Sequence, residues 1–260
     1  MFLYFNKITL VFNLFINVFI YYLDMNKIIF LVFCFLFSSV VLAEGYNVYT
    51  PDNYKYSKSD NTKTLFILDF SNSMNEYISD EKKVDTMKSN LKKILRNISQ
   101  DSEIGMRIYG YRLGFTPYDA CKASKLSVPI IKGGSTIISK ELESIRAIGM
   151  TPITYSLKQA INHDFKNFNG YKHIILLTDG GENCDESPCI YIMRTIKNEP
   201  KLKIDVIAYD IRNSDDISQL ECVALVTRGQ FYTANTSIEL FNSLNNASNA
   251  VKEVEAEIIP

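Results

Sequence analysis

Residues 64–74 form the run Thr64-Leu65-Phe66-Ile67-Leu68-Asp69-Phe70-Ser71-Asn72-Ser73-Met74. Its four consecutive apolar residues predict a buried strand of the kind found in parallel sheets. Asp69, Ser71 and Ser73 follow at alternating positions, so one tight turn offers a carboxylate and two hydroxyls. These hard oxygen ligands suit Mg²⁺ or Mn²⁺ better than zinc or copper. Because open α/β sheets bind ligands at the carboxyl ends of their strands, the run predicts a cation site there.

Two later stretches supply further oxygen ligands. Gly149-Met150-Thr151-Pro152-Ile153 places a third hydroxyl on a loop just before a helical pattern. Ile174-Ile175-Leu176-Leu177-Thr178-Asp179-Gly180 is a second apolar strand that ends in a carboxylate and a glycine turn. The three motifs, in this order and spacing, resemble the von Willebrand factor A (VWA) domain and its metal-ion-dependent adhesion site. The resemblance implies a metal-binding set made of Asp69, Ser71, Ser73, Thr151 and Asp179.

The resemblance covers about residues 63–252 and implies a doubly wound α/β fold. In this fold a mostly parallel central sheet, with one antiparallel edge strand, is flanked by helices on both faces. The resemblance also implies Mg²⁺ (or Mn²⁺ or Ca²⁺) as the cofactor, with one carboxylate acting through water. A cation held in this way keeps an open position that an Asp or Glu of a partner protein can fill.

The remaining pattern alternates apolar strands with amphipathic helices, which favours a mostly parallel sheet covered on both faces. The predicted helices are 85–98, 136–148, 153–164, 189–197, 215–227 and 238–251, and the further strands are 104–111, 126–131, 204–209 and 230–233. Residues 112–126 are predicted to form a loop. We interpret the pairs Lys82-Lys83 and Lys92-Lys93 as solvated surroundings of the first helix.

One group of exported bacterial VWA proteins is similar in further motifs that contain cysteines. The shared segments are Tyr109-Gly110-Tyr111-Arg112, Glu182-Asn183-Cys184 with Pro188-Cys189, and Leu220-Glu221-Cys222-Val223-Ala224. This likeness bears on the fold and on the roles of the cysteines more than on biological purpose.

Four cysteines follow the N-terminal region, and an even number behind an export signal indicates two disulfides. They are Cys121, Cys184, Cys189 and Cys222. Cys121 and Cys184 lie on loops at the metal-bearing edge, whereas Cys189 and Cys222 lie on consecutive helices that right-handed crossovers place side by side. We therefore predict Cys121–Cys184 and Cys189–Cys222. The alternatives are a local Cys184–Cys189 bridge with Cys121–Cys222, or half of a zinc site at Cys184-x₄-Cys189.

Residues 1–43 contain two apolar runs. Met25-Asn26-Lys27, the following apolar run and the small residues ending at Ala43 have the pattern of a secretory signal cleaved before Glu44, which makes Met25 the preferred start. The alternative retains residues 1–43 as a membrane anchor. Residues 44–62 are predicted to be a linker or extended arm, and 253–260 a tail.

Composition bears on the class of function. Lys and Arg number 28 against 29 Asp and Glu, so the strongly basic surface of a nucleic-acid-binding protein is not indicated. His163 and His173 are the only histidines, each within a regular apolar pattern that favours a structural role. The first strand is followed by no glycine-rich phosphate loop. We therefore expect no enzymatic activity.

The sequence favours an exported binding protein of the periplasm, cell envelope or extracellular space that recognises an acidic residue of a partner protein through its metal. Two alternatives stay open. One is a structural or assembly component of a cell-envelope complex with an idle metal site. The other is a membrane-tethered VWA partner of an ATPase, with membrane contact only if the N-terminal segment is retained.

Overall fold

The structure, a computed structural model, describes residues 61–249. Its main sheet has six strands in the order β5-β4-β1-β6-β7-β8, and β2 and β3 form a separate small hairpin. The strands are β1 (Thr62–Asp69), β2 (Tyr77–Ile78), β3 (Glu81–Lys82), β4 (Glu103–Tyr109), β5 (Ser124–Ile131), β6 (Tyr171–Thr178), β7 (Leu202–Tyr209) and β8 (Phe231–Ala234). The predicted leader (1–43), nearly all of the predicted linker and the predicted tail (253–260) lie outside the described residues.

The first predicted strand occupies the centre of the sheet. β1 pairs in parallel with β4 on one side and β6 on the other, and β7 and β8 continue the parallel order. β5 pairs with β4 in the antiparallel sense and forms one edge. The predicted fold class, including one antiparallel edge strand, is confirmed. β1 begins at Thr62, the last residue of the predicted linker.

Helices cover both faces of the sheet. They are α1 (Lys83–Leu95), α2 (Pro117–Ala120), α3 (Gly134–Glu141), α4 (Ile153–Gln159), α5 (Pro188–Thr195), α6 (Ser214–Val226) and α7 (Ser237–Asn249). Side chains of β1 alternate between the two cores: Phe66 packs on the side of α1, α3 and α7, and Ile67 on the side of α4, α5 and α6. Both are fully buried. A continuous apolar run was therefore required, because neither face of this strand meets water.

Among the predicted boundaries that are wrong, two concern the chain between β4 and α4. The predicted helix 136–148 ends at Glu141, because the chain that follows must reach the end of the sheet, where Ile148 donates its amide to the Phe70 carbonyl at 3.0 Å. The predicted loop 112–126 contains α2, and its last residues begin β5. The β2–β3 hairpin was not predicted at all.

The helix predicted at 153–164 consists of α4 followed by a π-helical turn, Ala160–Asp164. At the end of this turn Asp164 accepts two hydrogen bonds from the buried Arg107 guanidinium of β4, at 2.6 and 2.7 Å. The wider turn thus positions a carboxylate against a cation that the sheet would otherwise bury alone.

Candidate metal centre

The residues that the sequence nominates for metal binding lie at the carboxyl edge of the sheet, around the turn that follows β1. The Ser71 and Ser73 hydroxyl oxygens are 2.9 Å apart, and Ser73 donates to Oδ1 of Asp179 at 2.7 Å. A short 3₁₀ turn, Asn72–Asn75, holds the serines in this orientation. The side chains of three of the five predicted ligands are therefore hydrogen-bonded in series.

The loop carrying Thr151 is joined to the serine turn through the backbone. The Asn72 amide donates to the Gly149 carbonyl at 2.9 Å, and Ser71 and Gly149 form a parallel bridge. Gly149 has no side chain because none fits: a Cβ there would lie 2.5 Å from the Arg112 carbonyl oxygen. Only glycine allows the two backbones to come this close.

Asp69 is fully buried at the base of the candidate centre. Its Oδ1 accepts the Ser71 amide at 2.6 Å, and its Oδ2 accepts the Thr178 hydroxyl at 2.8 Å. Burial, and then the charge of Asp179, raise the pKa of Asp69 to about 6. Both of its oxygens are thus engaged by neutral donors, and its negative charge has no cationic partner among the hydrogen bonds and ion pairs of the described residues.

Asp179 has a different partner, the ammonium of Lys83 at the start of α1. Lys83 Nζ lies 3.2 Å from Oδ2 of Asp179, 3.0 Å from Glu76 and 3.3 Å from Asp210. Only 3% of the Lys83 side chain is exposed, so the interpretation of this lysine as a solvated residue is wrong. Burial would lower the pKa of Lys83, but hydrogen bonds to Glu76 and Asp179 raise it, which keeps the ammonium charged.

The Asp179 carboxyl is also buried, and burial raises its pKa although the Ser73 hydroxyl and Lys83 act in the opposite direction. The Lys83 ammonium contacts Asp179 but not Asp69. Within the described residues, the two carboxyls together therefore lack compensating positive charge.

Thr151 is held by the loop that contains Glu182-Asn183-Cys184, a segment noted above for its cysteine. Its backbone amide donates to Oδ1 of Asn183 at 3.0 Å, and Asn183 donates to its hydroxyl at 3.4 Å. Next to Asn183, the Glu182 carboxylate accepts the backbone amides of Thr154 and Cys184. Asn183 and Glu182 thus fix the position of the loop that carries Thr151.

Both disulfides form between the predicted pairs. Cys121–Cys184 joins the loop after β4 to the loop after β6, with 5.3 Å between the Cα atoms. Cys189–Cys222 joins α5 to α6, with 5.5 Å between the Cα atoms. The local Cys184–Cys189 alternative and the zinc alternative are therefore wrong.

The contacts of this edge also include residues that sequence reasoning missed. Asp210, which follows β7, could have been suspected, since it is one more carboxylate at the end of an apolar strand. Asn183 belonged to a recognised motif but had no predicted role. Lys83 and Glu76 carried no signal, because the contacts of Lys83 with Asp179 and with Glu76 depend on the folded chain.

The donor set of this edge fits a hard divalent cation. Two buried carboxylates, short of positive charge, lie beside hydroxyls that have no charge of their own. Between residues 61 and 249 no three His, Cys, Asp or Glu side chains gather as a metal cluster, so a cation here would depend on the serine and threonine oxygens.

Within the same range, no helix is long and apolar enough to cross a bilayer.

Comparison with known proteins agrees with this geometry. The family model of the von Willebrand factor type A domain matches residues 65–247 of the chain. The chain belongs to this family. A VWA domain accounts for the sheet order, for the central position of β1 and for the arrangement of the three loops at the carboxyl edge.

Relatives of this VWA domain are distant in sequence. The uncharacterized protein YwmD of Bacillus subtilis is 22% identical over 195 residues, which cover 72% of this chain and 85% of that protein. Among solved structures, the mussel byssus protein PTMP1 with a zinc-occupied MIDAS motif has a TM-score of 0.58 at 17% identity, covering 75% of this chain and 46% of that one. The vWF domain of the pilus tip protein Mfa5 of Porphyromonas gingivalis has a TM-score of 0.58 at 13% identity, covering 77% and 98%. At these identities the structural matches establish the fold alone.

Proposed function

We propose that this VWA domain is a non-catalytic binding module that recognises a partner protein through a divalent cation. The residues that would hold the cation are Asp69, Ser71, Ser73, Thr151 and Asp179. One observation carries the proposal: two buried carboxylates at one edge of the sheet adjoin two hydroxyls that contact each other, and the positive charge around them is incomplete.

The two carboxylates have different parts in this binding. Asp69, held by the Ser71 amide and the Thr178 hydroxyl, supplies a fixed negative charge. Asp179 contributes less charge because Lys83 shares it. Mg²⁺, or Mn²⁺ or Ca²⁺, bound among so few anionic ligands would keep an electrophilic position open to an Asp or Glu of the partner.

We further propose that the domain acts outside the cytoplasm, in the periplasm, the cell envelope or the extracellular space. Two disulfides in a domain of this size favour an oxidising compartment. The secretory pattern before Glu44 points the same way. Mfa5 is a pilus tip protein and PTMP1 has a zinc-occupied MIDAS motif, and their similarity in fold lends general support to an adhesive, metal-dependent role here.

Calorimetric titration of Mg²⁺ into the full chain tests the proposal. Asp69→Ala is expected to abolish binding, and Asp179→Ala to weaken it less. Asp101→Ala serves as the control, because the Asp101 side chain is 91% exposed and precedes β4 at the opposite edge of the sheet. Absence of divalent-cation binding at millimolar concentration in the unmodified chain would rule the proposal out.

Partner recognition needs its own measurement. Envelope extracts passed over the immobilised chain are expected to yield a protein that is retained in Mg²⁺ and released by EDTA. Thr151→Ala is expected to spare folding and to reduce partner retention more than Mg²⁺ binding. Retention that EDTA leaves unchanged would instead favour a structural component with an idle metal site.

A further inference from the structure

An exposed apolar patch lies on the loop after β4, residues 111–121, which we term the Phe115 loop. Three of its large apolar side chains are exposed: Leu113, Phe115 and Tyr118, at 71%, 101% and 75%. Three such side chains within six residues concentrate exposed apolar surface on one loop, and such concentrations mark interaction surfaces.

The Phe115 loop is held by hydrogen bonds and a disulfide despite its exposure. Arg112 donates two hydrogen bonds to the Asp119 carboxylate at 2.9 and 2.7 Å, and the same carboxylate accepts the Phe115 amide at 3.1 Å. Thr116 caps the short helix α2 by accepting the Asp119 amide. Cys121 closes the loop through its disulfide. A loop fixed in this way presents its apolar side chains with little further loss of entropy on binding.

The Phe115 loop adjoins the candidate metal centre. Its first residues pass so close to the Thr151 loop that a Cβ on Gly149 would meet the Arg112 carbonyl oxygen. Its last residue, Cys121, is bonded to Cys184, whose neighbour Asn183 holds Thr151. Both ends of the Phe115 loop therefore adjoin the Thr151 and Cys184 loops at the carboxyl edge of the sheet.

A lysine ammonium lies beside one of these exposed side chains. The Lys122 ammonium is 5.1 Å from the centroid of the Tyr118 ring and 4.5 Å from that of the Tyr155 ring. It therefore adds positive charge beside aromatic faces on the same edge. An apolar patch flanked by a candidate divalent-cation site and an ammonium is complementary to a segment that is both acidic and apolar.

We propose that the Phe115 loop is the second half of the partner-binding face, and that it takes an apolar side chain of the partner close in sequence to the acidic residue held by the metal. The partner is thus a protein segment in which an Asp or Glu lies near a Phe, Leu, Tyr or Met. This inference rests on the proposed metal-dependent function and specifies its ligand.

Displayed peptide libraries provide the probe, one with a fixed central Asp and one with Ala at that position. Both are selected in Mg²⁺ against the full chain, produced by an exporting host so that both disulfides form. The fixed-Asp library is expected to yield peptides with an apolar residue near the Asp. Their affinity is expected to fall at least about tenfold with Phe115→Ser, as for an aromatic anchor.

Leu225→Ser is the matched control. Leu225 is 76% exposed, and it lies in the last turn of α6, at the opposite edge of the sheet because the helix runs back across it. Both variants are expected to keep the thermal midpoint of the unmodified chain, since neither side chain is buried. Leu225→Ser is expected to leave peptide affinity unchanged.

The outcomes separate the two proposals. Peptides that require Asp and Mg²⁺ but bind Phe115→Ser as tightly as the unmodified chain would overturn the role of the Phe115 loop and leave the metal-dependent function standing. Peptides that bind equally in EDTA and with Ala at the fixed position would overturn the metal-dependent function, and with it the joint face. Loss of affinity with both Phe115→Ser and EDTA, but not with Leu225→Ser, supports both.

Discussion

Replacing Lys83 by Met removes the ammonium from the candidate metal centre and keeps most of the side-chain volume. The ammonium lies 3.2 Å from the buried Asp179 carboxylate, which at an effective dielectric constant of about 20 corresponds to a gross attraction of about 5 kcal/mol. Part of this attraction is offset by the cost of burying the ammonium. Glu76, whose side chain is 68% exposed, loses little when the ammonium leaves, because water can take its place.

We therefore expect Lys83→Met to lower the free energy of unfolding in EDTA by about 3 kcal/mol, near the lower end of the range for breaking a buried ion pair from one side. Mg²⁺ is expected to restore much of this loss and to bind the variant more tightly than the unmodified chain, because the competing positive charge is gone. Urea unfolding with EDTA and with Mg²⁺ measures both effects.

Lys92→Met is the control on the same helix. Lys92 is paired with Glu143, whose side chain is 70% exposed, and such pairs contribute less than about 1 kcal/mol. If Lys83→Met destabilises the metal-free protein no more than Lys92→Met, the Asp179 carboxyl does not depend on this ammonium and the argument fails. If Mg²⁺ stabilises both variants equally, the ammonium does not compete with a cation.

Three further predictions follow from the contacts of the same edge. The folded chain holds Asp69 at a pKa of about 6 against an ordinary value of 3.8, so the metal-free protein is expected to lose stability as the pH rises through this interval. Asp69→Asn is expected to abolish that loss, leaving the variant up to about 3 kcal/mol more stable than the unmodified chain at neutral pH in EDTA, as urea unfolding across pH would measure. Gly149→Ala is expected to push the Thr151 loop away from the Arg112 carbonyl and to weaken Mg²⁺ binding by calorimetry, while a circular dichroism spectrum like that of the unmodified chain would show the fold intact. Replacing both Cys121 and Cys184 by Ser is expected to cost about 4 kcal/mol of unfolding free energy, because the bond closes a loop of 63 residues. An unchanged urea midpoint would contradict that estimate.

The sequence could predict the parts of the fold that depend on local periodicity and on the handedness of crossovers. Each core strand is an apolar run followed by a polar turn, and parallel strands end at one edge, so Asp69 and Asp179 were expected to lie near each other. The Cys189–Cys222 pair followed from the side-by-side position of consecutive helices, and the Cys121–Cys184 pair from two loops at the same edge of the sheet. That the five oxygen-bearing residues bind a metal stays a prediction.

The features that the sequence could not predict depend on contacts between distant segments. Lys83 follows another lysine at the start of an amphipathic helix, a setting typical of exposed residues. In the folded chain it is buried beside Asp179 and Asp210, which follow the ends of β6 and β7. The helix predicted through Ile148 ends early because the Ile148 amide donates instead to the Phe70 carbonyl, just after β1. Helical periodicity alone carries no information about that competition.

The central position of β1 has a mechanical consequence. The strand enters the sheet at Thr62, at one edge, and delivers Asp69 to the candidate metal centre at the other. Tension between a partner held at Asp69 and the chain before Thr62 would act along the axis of this strand. Because β1 has a parallel neighbour on each side, its two ladders of hydrogen bonds would have to shear together instead of opening one bond at a time. A pull along this axis is therefore expected to meet more resistance than one that peels β1 away from its neighbours.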